Sequence, residues 1–162
     1  AALFQKGPMD FANLSSAHFL VAMAAGVAGL AAMEVAMWLI TRRGWAQGNM
    51  VVAVGSLITR KRENAFFTGA ILHLVAAMGF ALLYLLIMQR FGLAHLPVSL
   101  AAGLGFGLLH GMVVTLALVW IVSEQHPLEE FQEAGLAVGV SHIAGHVAYG
   151  VAVGLVIGLF SI

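Results

Sequence analysis

The sequence predicts an all-α integral membrane protein, an up-down four-helix transmembrane bundle with a short interfacial or re-entrant segment between helices 1 and 2. Three observations carry that reading. Hydrophobic residues make up 62% of the 162 and charged residues 9%, too few charges to cover a water-facing surface, and mean hydropathy is +1.01. Four segments, about 17–41, 65–89, 98–122 and 134–161, each hold the roughly 20 apolar residues that cross about 30 Å of hydrocarbon. Charges or helix breakers bound every one of them: Arg42 and Arg43, Glu63 and Asn64, Gln89 and Arg90, Pro97, Glu124 and Glu133.

Residues 1–8, AALFQKGP, read as a protease-site and linker remnant outside the fold, with Met9-Asp10 as the expected native start. Residues 9–162 then form a single domain. The first span has no basic region before it and no small-residue cleavage site after it, so it reads as a helix that stays rather than a signal peptide. The connection that follows, residues 42–64, holds five of the seven Lys and Arg. By the positive-inside rule it is cytoplasmic and both termini are outside. Within it, NMVVAVGSLI (49–58) is apolar but too short to span, which suits a segment lying in the interface or re-entering the bilayer. Trp38, Trp45 and Trp120 fall near the cytoplasmic boundary, as interfacial anchors do.

Net charge is zero and cysteine is absent. The first gives no argument for nucleic acid as a partner. The second removes disulfides, thiolate metal sites and cysteine nucleophiles. The chemistry must come from ionisable residues inside the spans, which are rare and costly there and point to function by default. There are five: Glu34, His73, His110, His142 and His146. At ~1.5 Å per residue, Glu34 lies about 12 Å from Arg42, His73 about 15 Å from Glu63 and His142 about 14 Å from Glu133. His110 and His146 come out near 20 Å from Glu124 and Glu133 by the same rise. All four helices contribute, in two layers one turn apart: Glu34, His73 and His142 in one, His110 and His146 in the other.

Residues three or four apart share a helix face. The row His142, His146, Gly150, Gly154, Gly158 and the neighbours Gly103 and Gly107 of His110 put these histidines on small-residue faces. Along such faces membrane helices approach closely. The glycine rows suit packing within the bundle and between protomers of a homo-oligomer equally.

Imidazole and carboxylate ligands, with a His-x-x-x-His pair on one face, point to a transition-metal site for zinc, iron or copper. Metal transport or storage in the bilayer is the expected role, and enzymatic activity is left open. Tyr84 and Tyr149 are candidates to support the ligands by hydrogen bonds, and Met33, Met37, Met78 and Met112 offer thioethers for Cu(I). Two further readings of the same histidines remain: haem b ligation by His73 or His110 opposite His146, or quinone electron transfer, and a metal-free proton path. A structural subunit of a larger complex, with histidines that only fix packing, is the remaining alternative. His18 and His95 fall near the external surface and His126 lies in the acidic third connection; all three read as solvated interface residues.

AAMEVAMWL, VGSLITR, ILHLVAAMGFALLYLL and SHIAGHVAYGVAVGLVIG together resemble a loosely defined family of small four-transmembrane-helix bacterial and archaeal membrane proteins with no assigned activity. The resemblance covers most of residues 20–160. It implies the four-helix architecture and draws attention to His73, His142 and Tyr149, without implying a function.

Overall fold

A computed structural model describes residues 14–46, 49–117, 123–132 and 135–160. The proposed remnant at 1–8, Trp120 and Glu133 lie outside those residues. Helices dominate and no strand occurs among the described residues. Among the described residues four helices are long and apolar enough to cross a membrane: Ser16–Arg42, Ala65–Arg90, Val98–Ala117 and Leu136–Phe160. Their starts and ends fall within a few residues of the expected spans, and the chain is a multi-pass integral membrane protein.

Helix α1 (Ser16–Arg42) begins where the Ser15 backbone N–H donates to His18 Nδ1 at 3.1 Å, so His18 caps a helix end. It stops at Gly44, which takes φ +71°. The Trp45 N–H there reaches back to Ile40 O at 3.2 Å, a C-cap that turns the chain sharply. Helix α2 (Met50–Thr59) follows, capped by the Asn49 side chain, which accepts from the Val52 N–H at 3.2 Å. Helix α3 (Ala65–Arg90) ends as α1 does, at Gly92 with φ +69° and Leu93 N–H on Met88 O. Helix α4 (Val98–Val114) begins after Pro97 and runs on to Ala117 in a wider π-type turn. A single helical turn α5 (Ser123–Gln125) and a 3₁₀ turn (Glu129–Phe131) lead to α6 (Leu136–Phe160).

Around the bundle α3 lies along α1, α1 along α6 and α6 along α4, while α3 and α4 approach over only a short stretch. The tight seam is α4 on α6, and glycine makes it. A Cβ on Gly150 would stand 2.8 Å from the Gly107 Cα, and one on Gly107 would stand 3.0 Å from the Val147 Cα. The backbones therefore touch, as small-residue faces permit. The open seam closes through rings: Phe80 against His110 at 4.0 Å between centroids and Tyr84 against Phe106 at 5.2 Å.

Helix α2 turns back along the first half of α3. Gly69 faces Val51 and Gly55 faces Ala65, with no room for a Cβ at either glycine. The short apolar segment is thus half of a helical hairpin, with its Asn49 end directed along α3 from Ala65 toward His73. Gly55 serves close packing, and Ser56 Oγ donates to Val52 O in its own helix at 2.7 Å.

Buried side chains concentrate in one half of the bundle. Val21, Ala22 and Ala25 pack there with Ala81, Leu85 and Met88 and with Val153 and Ile157. Large apolar side chains such as Leu20, Val27, Ile71, Val75 and Leu109 point outward from the helices, as a lipid-facing surface requires. The other half of the bundle is hollow.

The first and third connections meet at the hollow end. His126 is 3% exposed. Its Nδ1 accepts the Leu128 N–H at 3.1 Å and its Nε2 donates to Ala53 O of α2 at 3.1 Å. Arg62 pairs with Glu130 across the same two connections. The expectation that His126 is solvated is therefore corrected: its partner is a carbonyl on a helix whose position a local reading of an acidic loop does not reveal.

Candidate functional site

The hollow is a cavity of about 590 Å³, and Glu34, His73, His110, His142 and His146 all line it, together with Tyr149. Each arrives from a different register of the fold. The Gly107 and Gly111 faces of α4 press against His146 and Ile143 of α6, and this brings the His110 and His146 rings edge to face with centroids 4.7 Å apart. On the other wall His73 Nδ1 of α3 stands 3.7 Å from a Glu34 carboxylate oxygen of α1. Those two pairs are the neighbours that counting ~1.5 Å per residue from the helix ends anticipates.

The α6 imidazoles are oriented by their own helix. His142 Nδ1 lies 2.9 Å from Val138 O, and His146 Nδ1 lies 2.8 Å from His142 O. A carbonyl only accepts, so each Nδ1 carries the hydrogen and each Nε2 keeps its lone pair. No described residue hydrogen-bonds either Nε2. The two rings lie nearly parallel, 24° apart, with centroids separated by 6.5 Å. A third imidazole is partly committed: His110 Nδ1 is 3.2 Å from the Tyr84 hydroxyl. His73 Nδ1 is buried with no hydrogen-bond partner, and the Glu34 side chain is 47% exposed.

Tyr84 thus supports a histidine directly. Tyr149 lines the cavity, but its hydroxyl donates to Ala77 O at 2.5 Å and ties α6 to α3. Of the four methionines considered as thioether ligands, Met33 and Met37 line the cavity. Met112 is 46% exposed on the outer surface. As the side chains stand, no three His, Asp or Glu groups among the described residues are close enough to hold one metal ion. The His110 and His146 rings touch and leave no slot for a macrocycle between them.

The sequence reading missed one wall. Asn49, Met50, Val51 and Val54 of α2 close the cavity beside His73. The signal for them is Asn49 itself, a helix-capping residue directly before an apolar run. His18, placed at the α1 start, and His95, in the α3–α4 turn, are remote from the cavity.

The chain has no significant match among protein-family models, curated proteins or solved structures.

Proposed function

We propose that this protein binds a divalent transition metal, zinc, iron or copper, inside its membrane bundle and serves metal transport or storage. One observation carries the reading: His142 and His146 both line the cavity, and each fixes its Nδ1–H on a backbone carbonyl, which leaves its Nε2 lone pair free of that bond. That is how proteins set the tautomer of a metal-binding histidine. His73, His110 and Glu34 line the same cavity, and imidazole nitrogens with one carboxylate suit these ions. An intramembrane cluster of this kind is costly unless it is used. The touching His110 and His146 rings argue against haem between that pair. Among the described residues, Glu34 and the tyrosines are the only titratable groups besides the histidines at the cavity, which favours binding over catalysis. With the basic first connection cytoplasmic by the positive-inside rule, the hollow half opens toward that side.

Elemental analysis of the purified protein after loading and desalting tests this. About one metal per chain is expected, and His142→Ala with His146→Ala should abolish retention. Unchanged stoichiometry in the double variant overturns the assignment.

A further inference from the structure

The donors around the hollow differ from those of an ordinary zinc or iron site. Zinc takes four ligands in structural sites and three protein ligands in catalytic ones, whereas no three His, Asp or Glu groups among the described residues stand close enough to share an ion. Two thioethers reach the α6 histidines from α1. Met33 and Met37 both line the cavity, and both pack on Gly145 of α6. A Cβ on that glycine would stand 3.2 Å from the Met37 Sδ and 3.2 Å from the Met33 Cγ, the atom bonded to its sulfur. Gly145 lies three residues after His142 and one before His146. Residues three apart on a helix are surface neighbours, with Cβ atoms about 5–6 Å apart.

The register of the seam places the sulfurs further. Helices α1 and α6 run antiparallel, with Gly29 against Tyr149 and Val153 and the Met33–Met37 turn against Gly145. Beyond Met33, α1 therefore advances toward the start of α6, which brings Met37 to the level of His142. The imidazoles there keep Nε2 lone pairs, because their Nδ1–H groups are committed to carbonyls. Neutral sulfur and neutral nitrogen donors thus share one stretch of the α1–α6 seam.

Charge points the same way. The cost of taking an ion out of water rises with the square of its charge, so a divalent ion costs about four times as much as a monovalent one in a low-dielectric site. Glu34 is the only carboxylate at the cavity among the described residues, and it offsets one positive charge. Cu(I) combines a single charge with a preference for thioether and imidazole, and its filled d shell accepts two or three donors.

We propose that, of the three metals named above, the site selects copper and holds it as Cu(I), between the His142 and His146 imidazoles of α6 and the Met33 and Met37 thioethers of α1. The proposal rests on the reading of these histidines as metal ligands and narrows it to one element in its monovalent form. The ion enters and leaves as Cu(I), so no electron is transferred.

The metal-free full chain in detergent is loaded under argon with Cu(I) buffered by bicinchoninate, or with zinc chloride, and then desalted. About one copper per chain is expected, with sulfur beside nitrogen among its nearest neighbours in the copper X-ray absorption spectrum. The chain contains no cysteine, so that sulfur can only be methionine. Met33→Leu with Met37→Leu nearly conserves volume and should weaken Cu(I) roughly ten-fold or more in competition with bicinchoninate, because it removes the soft donors. Copper surrounded by nitrogen and oxygen alone, or equal Cu(I) affinity in the wild type and the double variant, overturns the proposal. Retention of zinc without Cu(I) also overturns it and leaves the metal site itself standing; retention of neither ion removes both.

Discussion

The two α6 imidazoles show how much one hydrogen bond decides. A histidine in an apolar helix is ambiguous until its Nδ1 has a partner, and the carbonyl one turn back supplies it for His142 and for His146. The four-residue spacing was readable in SHIAGHVAYG; that each ring bonds backward rather than to its neighbour was not, because rotamer choice depends on packing. Tyr84 allows a direct check. Its hydroxyl is 3.2 Å from His110 Nδ1, and in the proposed metal site that makes it an outer hydrogen-bond partner of a ligand, whose loss typically costs 10–100-fold in affinity. Tyr84→Phe should therefore weaken metal binding at least ten-fold in a chelator competition. Its thermal midpoint should move little, since the ring still packs on Phe106 and Tyr149.

At the scale of helices, glycine separates one seam from the other. Gly107 and Gly105 lie on the same helix two residues apart, yet a Cβ on Gly107 meets the backbone of α6 and one on Gly105 meets nothing within 4 Å. Gly107→Ala should lower stability by about 1–3 kcal/mol through overpacking. Gly105→Ala should be neutral or slightly stabilising, because alanine favours the helix. Thermal unfolding in detergent distinguishes them. The spans were legible because charges bracket each apolar run and the rise per residue is constant, which also placed Glu34 level with His73 and His110 level with His146. The course of α2 was hidden. Ten apolar residues carry no mark of the helix they will lie against, and Gly55 and Gly69 meet only once the hairpin has formed.

For the whole molecule, the first and third connections are joined at the hollow end by His126 on Ala53 O, 73 residues apart in sequence. Local pattern cannot foresee a contact of that separation, which is why a loop histidine read as solvated is in fact buried. The tie holds α2, and α2 walls the cavity. His126→Ala should free the third connection and hasten limited proteolysis within residues 123–132. Arg62→Ala should leave the cleavage rate nearly unchanged, because the Arg62–Glu130 pair is exposed on both sides, 64% and 45%, and such pairs contribute little.

The uneven distribution of buried side chains has a mechanical consequence. A bundle solid at one end and hollow at the other has unequal compressibility along its length. Void volume is what hydrostatic pressure acts to eliminate, so compression would be taken up first where Phe80 and Tyr84 lean on His110. The glycine spine of α4 and α6 would hold its spacing. A change in the lateral pressure of the surrounding bilayer would act on the same yielding edge, and the room available around the histidines would change with it.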